Sequence, residues 1–212
     1  MTKKLFGRCL LMLAVFFTPA AGFAADETMA PDEQVRNVTN EVLTIVRSDR
    51  SIQAGDTTKI LALVDEKVLP HFDFRRMTSL AVGRDWRSAS PEQQERLIAA
   101  FRTLLVRTYS NALTQYRDQS IEVKPMRVNP GEKRVRVSTE VRQPGAQPIL
   151  LDYAMEQGDQ GWKVFDVTVA GVSLVTNYRG SFGNEISTKG IDGLIASLEA
   201  KNKSLAAGQG GK

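Results

Sequence analysis

Thiol and imidazole chemistry are almost absent from this chain. Its 212 residues include one cysteine, Cys9, and one histidine, His71, so neither a Cys/His zinc site nor a disulfide framework is available. Long apolar runs are missing too. The longest, Cys9 to Phe17 ("CLLMLAVFF"), has nine residues, where a membrane-spanning helix needs about 20. Neither a P-loop nor a G-x-G-x-x-G fingerprint occurs. "GVSLV", Gly171 to Val175, begins like a nucleophile elbow but carries Val175 where the second glycine belongs. His71 follows Pro70 at a helix end, which is a packing or capping position, and Asp152 and Asp166 fall in strand patterns, where carboxylates are ordinarily solvated or salt-bridged. With the common routes to catalysis removed, the chain is expected not to be an enzyme and to need no metal or cofactor.

What is there begins with an address. Lys3, Lys4 and Arg8 form a basic head, the nine-residue apolar run follows, and "TPAAGFAA" supplies a breaker and small residues before Asp26. This reads as a Sec-type signal peptide over residues 1–24, cleaved after Ala24, which places the mature domain in the periplasm. No lipobox-like small residues precede Cys9, so it is not read as an acylation site. Cleavage removes three basic residues and no acidic one, leaving 25 basic against 24 acidic residues and a net charge of about +1. A concentrated positive field, which nucleic acid binding requires, is therefore not expected. The mature chain has no cysteine, and at about 188 residues it is long enough to bury a core without disulfide staples. Over all 212 residues the mean hydropathy of -0.23 is that of a globular protein.

Helical periodicity dominates the first half. Val35, Val38, Val42, Ile45 and Val46 follow Pro31, and Ile60, Leu61, Val64, Val68 and Leu69 precede Pro70. A short helix is expected over Phe74 to Val82, ended by Gly83. Ser90 as N-cap, Pro91 at the first helical position and Gln93 completing a capping box open a long helix that the apolar pattern carries to Tyr116. Four strand patterns follow, "SIEVKPMRV", "EKRVRVSTEVRQ", "PILLDYAMEQ" and "GWKVFDVTV", separated by turn signals at Asn129-Pro130-Gly131, Pro144-Gly145 and Gly158 to Gly161. Val135, Val137, Thr139 and Val141 alternate with Arg134, Arg136, Ser138, Glu140 and Arg142, giving one covered and one wet face. Phe165, Val167 and Val169 are expected to share a face. Helical patterns return near Val172 to Ile186 and Ile191 to Leu205, and the Gly-rich end, 204–212, is expected to be disordered. Helices, then an antiparallel meander, then helices read as an α+β domain over 25–203.

At this point the sequence resembles a known family. "VLPHFDFRRMTSLAVGRDWRSASPEQQERLIAAFRTLL", Val68 to Leu105, and "GWKVFDVTVAGVSLVTNYRGSF", Gly161 to Phe182, followed by Gly190 and "GLIASL", are similar to the MlaC or toluene-tolerance (Ttg2) family. The markers Pro70, Phe72, Asp73, Gly83, Trp86, Trp162, Asp166, Val167, Gly171, Ser173, Tyr178, Arg179 and Phe182 stand in order across nearly the whole mature chain. The resemblance implies a periplasmic phospholipid carrier working between an outer-membrane lipoprotein complex and an inner-membrane ABC transporter with an MCE-domain subunit, in maintenance of outer-membrane lipid asymmetry. It also implies an NTF2-like fold, a sheet of four or more antiparallel strands wrapped by helices around an apolar cavity, with acyl chains inside and the headgroup outside.

The candidate lipid-binding wall is Phe101, Leu105 and Tyr109 on the long helix, Val137, Val141, Leu151, Tyr153, Phe165, Val167 and Val169 on the strands, and Val172 and Val175 beyond them. From spacing alone the same residues also describe a filled core. Arg179, one turn after Val175, is a candidate either for a phosphate at the pocket mouth or for a surface ion pair. Trp86 and Trp162 read as packing anchors, Asp166 and Ser173 as local ties between strand and helix, and Arg134, Arg136 and Arg142 as a wet face that either docks a partner or is only solvated. Two alternatives to a carrier stay open, an enzyme built on an NTF2-like cavity and a periplasmic adaptor without cargo.

Overall fold

Pro31 at the first helical position, Asp32 and Glu33 in the first turn and Arg47 in the last place the charges of helix α1 (Pro31–Ser48) in the favourable sense of its dipole. The computed structural model describes residues 29–209 except 115, 117 and 118, so the expected signal peptide lies outside the described residues. Val35, Val42, Leu43 and Val46 form the buried stripe of α1. Asp49 accepts from the backbone N–H of Ser51 and Ile52 at 2.8 and 3.2 Å and caps α2 (Arg50–Gln53); Asp56 caps α3 (Thr57–Leu63) through Lys59 N–H at 3.1 Å. The chain then loosens into a π turn over Val64–Val68 and tightens into a 3₁₀ turn over Leu69–His71, where Pro70 ends the helical run.

Helix α4 (Phe74–Val82) is capped by Asp73 and stops at Gly83, whose φ of 73° an L side chain resists. A 3₁₀ turn, Gly83–Ser88, leads to α5 (Pro91–Tyr109), and both halves of its capping box are present: Gln93 N–H donates to Ser90 Oγ at 3.2 Å and Ser90 N–H to Gln93 Oε1 at 2.9 Å. The helix does not run unbroken to Tyr116. It ends at Tyr109 and resumes as the one-turn α6 (Asn111–Thr114), with the hydroxyl of Ser110 donating back to Val106 O and competing with the helical ladder.

The sheet is a five-stranded meander in which β1 (Ser120–Val123), β2 (Arg134–Arg142), β3 (Ile149–Gly158), β4 (Gly161–Val169) and β5 (Val172–Ser173) pair antiparallel in sequence order. The expected helix from Val172 gives up its first two residues to β5. Helix α7 (Leu174–Gln209) then closes the fold, kinked at Gly190, and it extends into the segment whose composition suggested disorder.

One correction falls on β4. Register with β3 shifts between Ala154 and Met155, so that Met155 faces Val164 while Ala154 faces Asp166 and Phe165 is the extra residue of a bulge. Phe165 therefore leaves the face it was expected to share with Val167 and Val169 and packs instead on the helical cluster. The result is an α+β, NTF2-like arrangement with three apolar clusters: one among α4, α5 and α7, one between α1 and the lower sheet, and one joining α1, α2, α3, Tyr116 and Ile121.

Candidate functional site

Strand register assigns the covered face of the sheet rung by rung. Val135, Met155 and Val164 form the first; Val137, Tyr153 and Val167 the second; Val123, Thr139, Leu151 and Val169 the third, extended by Val172; Ile121, Val141 and Ile149 the last. The first rung is buried under Val35 of α1 and Phe72. Moving toward the β2–β3 and β4–β5 turns, the cover runs out: Tyr153, Val167, Leu151, Val169 and Val141 keep part of their surface, and Ile149 and Val172 are 46% and 56% exposed. Apolar residues on the covered face of a sheet are ordinarily sealed by a helix. Here a continuous apolar strip is not.

Tyr153 marks the character of that space. Its side chain retains accessible surface, yet surrounding protein pushes its phenol above the usual value, an effect offset in part by a hydrogen bond with Thr139. The ring stands at the boundary between the buried lower sheet and the part-exposed strip. At the opposing helices Tyr178 is likewise raised, first by burial and then by neighbouring Tyr109, and it sits in an aromatic group with Phe101 and Phe182 at centroid distances of 5.1 to 5.5 Å.

The structure divides the candidate residues into groups. Phe101, Leu105 and Val175 are buried within the helical cluster, with Phe165 packed on it; Val137 is fully buried in the lower sheet. Tyr153, Val167, Leu151, Val169 and Val141 come together on the incompletely covered strip, with Val172 at its rim; Tyr109, at 43% exposure, ends α5. Arg179 enters no ion pair among the described residues and its Nε donates to Leu80 O at 2.8 Å. Ile149, on the same covered face, and Tyr178, packed on the helical cluster, are residues the sequence reading did not name as candidates. Ile149 was legible, since it lies two residues before Leu151 in an alternating strand; Tyr178 depended on the packing of α7.

The other polar expectations resolve into local structure. Asp166 accepts from Ser173 Oγ at 2.6 Å and from Val175 N–H at 3.1 Å, tying β4 to the start of α7, and Trp162 is an anchor of the lower sheet. On the wet face Arg134 pairs with Glu156, Arg136 with Asp152, and Arg142 with Glu140 and Glu122, so its charges neutralise one another. A separate open groove of about 750 Å³ lies by the β3–β4 turn, lined by Phe72 and Phe74 but also by Asp65, Arg102, Asp159 and Lys163. That charge makes it unsuited to hydrocarbon. Among the described residues no His, Cys, Asp or Glu group has the arrangement to hold a metal, and no helix is long and apolar enough to cross a membrane.

Comparison with known proteins places this geometry. A family model described as MlaC protein matches residues 36–200. The chain is 25% identical over 200 residues to the intermembrane phospholipid transport system binding protein MlaC of Haemophilus influenzae, covering 93% of this chain and 92% of that protein. It is 27% identical over 184 residues to the toluene tolerance protein ttg2D of Pseudomonas putida, covering 86% and 83%. A phospholipid-binding protein from Ralstonia solanacearum, solved in complex with a phospholipid, superposes with a TM-score of 0.78 at 36% identity, over 84% of this chain and 99% of that one.

Proposed function

This chain belongs to the MlaC family, and on that premise we propose that it is a phospholipid-binding transport protein that carries phospholipid across the periplasm. Its partners are an outer-membrane lipoprotein complex and an inner-membrane ABC transporter with an MCE-domain subunit, and the cargo serves outer-membrane lipid asymmetry. The observation that carries the reading is the apolar strip of Tyr153, Val167, Leu151, Val169 and Val141 on the covered face of the sheet, left without a full protein cover. A two-chain phospholipid has about 30 methylenes, each worth about 0.8 kcal/mol on burial, so it does not cross water unaided at a useful rate. A carrier replaces the bilayer with its own apolar wall, and that strip supports such a wall. The cargo is substrate rather than cofactor, and no catalytic step enters.

The test is organic extraction of protein purified under native conditions, followed by mass spectrometry. Phospholipid near one molecule or more per chain is expected. A lipid-free protein whose strip is sealed would point to an adaptor, and turnover of a soluble substrate would point to an enzyme.

A further inference from the structure

Tyr153 stands where the covered face of the sheet changes from sealed to open. Along β3 the residues of that face are Met155, fully buried, then Tyr153 and Leu151, which keep part of their surface, then the exposed Ile149. On β2 the seal reaches one rung further, because Val137 and Thr139 are both buried and Val141 is not. The boundary therefore crosses the sheet obliquely, and Tyr153 fills its corner. Its side chain packs on the lower-sheet cluster while its phenol shares a hydrogen bond with Thr139, a diagonal neighbour one rung nearer the open end and within reach of an aromatic side chain. Burial raises this phenol above its ordinary value, so the hydroxyl is the enclosed end and the accessible surface lies on the rest of the side chain. Thr139 is itself tied to the sheet, its Oγ1 donating to Leu151 O at 3.3 Å. Every other residue of the second, third and last rungs is aliphatic or threonine. A flat ring held at its hydroxyl does not rearrange as a leucine or methionine does.

We propose that Tyr153 is the end stop of the acyl pocket and sets the length of acyl chain the protein accepts, with Thr139 as the residue that positions its ring. The proposal rests on the carrier reading. A charged headgroup stays in water, so an acyl chain enters from the Ile149 end and its terminal methyl points toward Tyr153. From Tyr153 to Ile149 the strand advances four residues, about 13 Å at about 3.3 Å each. One leaflet of a bilayer, half of its hydrocarbon core, is about 15 Å thick. A chain of ordinary length thus reaches the ring, and a longer one leaves methylenes outside in water, each lowering affinity by about fourfold.

The test offers delipidated protein vesicles of equal parts dipalmitoleoyl, dioleoyl and dieicosenoyl phosphatidylglycerol; the lipid taken up is quantified by mass spectrometry, and the melting temperature of each variant is measured alongside. Tyr153→Leu, which removes the ring but keeps an apolar side chain, is expected to raise the ratio of dieicosenoyl to dipalmitoleoyl lipid by about fourfold for each methylene newly covered. Tyr153→Trp is expected to lower that ratio. Both changes lower stability, so opposite shifts do not come from unfolding. Thr139→Val, which removes only the hydroxyl anchor, moves the ratio in the direction of Tyr153→Leu by a smaller factor and carries the test where a Tyr153 variant does not fold. Val137→Ala, on the sealed side of the boundary, lowers the melting temperature and leaves the ratio as in the wild type. Wild-type ratios in the Tyr153 and Thr139 variants, or an equal shift in Val137→Ala, overturn the proposal and leave the carrier reading standing. A wild type that takes up none of the three lipids sinks the carrier reading and the end stop with it.

Discussion

The single histidine shows how one residue couples separate elements. Both hydrogens of Gln34 Nε2 are used, one toward Trp162 O and one toward His71 Nδ1, each at 3.0 Å, so α1, the Pro70–His71 turn and β4 meet at one amide. Because a carbonyl only accepts, the amide nitrogen must face this way, and Nδ1 must therefore be the unprotonated nitrogen of a neutral ring. Burial, then the nearby charge of Lys163, holds His71 below its ordinary value of 6.5, with Glu41 opposing weakly. The folded state thus takes up the proton less readily than the unfolded chain. Its contribution to stability is complete above about 6.5, the unfolded value, and is lost as pH falls through that value toward the lower folded one. The melting temperature of the wild type should accordingly fall more between about pH 7.5 and about pH 5.5 than that of His71→Gln, which keeps an acceptor but cannot titrate. Parallel profiles for the two proteins would show that the link does not depend on protonation.

At the scale of elements, β4 distributes side chains to both major clusters. The bulge at Phe165 sends Trp162 and Val164 to the sheet core, keeps the partly buried Val167 on that same face, and sends Phe165 to the helices, where Arg76 lies 4.5 Å over its ring. The next residue, Asp166, takes Val175 N–H while Ser173 Oγ takes Thr176 N–H at 3.0 Å, so two of the orphan donors at the start of α7 are satisfied. Asp166→Ala should cost about 1 to 2 kcal/mol in urea unfolding, and Asp166→Asn less, since its amide oxygen still accepts. Equal losses would mean that charge rather than the hydrogen bond matters. How much of this was legible differs by element. The Ser90–Gln93 box and the alternation of β2 stand in the sequence because each depends on neighbours in the chain. The bulge, the two residues of β5 and the break at Ser110 do not, because period-two and helical patterns overlap there and pairing with β3 or packing on α7 decides between them.

The whole molecule leaves its covered sheet face half sealed, and that property separates residues that look alike in sequence. Val137, Val167 and Val141 all alternate on strands toward the same side, but Val137 is fully buried while Val167 and Val141 keep accessible surface. Hydrophobic patterning locates a wall; only the third dimension says whether protein stands on its other side. The candidate strip was legible to that extent: which strand residues share the covered face could be read, but not the division between sealed and open. If the strip holds acyl chains, Val167→Trp or Val141→Trp occupies volume otherwise taken by methylenes, and displacing about four, at about 0.8 kcal/mol each, lowers lipid affinity by about two orders of magnitude. Val137→Trp overpacks a filled core and should instead cost about 1 to 3 kcal/mol of stability. Co-purified phospholipid and thermal unfolding are measured together, on delipidated as well as native protein, because bound lipid itself adds about 2.7 kcal/mol at a hundredfold excess over its Kd. The expected pattern is lipid lost with an unchanged delipidated melting temperature at Val167 and Val141, and a lowered melting temperature at Val137. Lipid retained while all three variants melt early would mean that the strip is core, with protein rather than cargo on its far side.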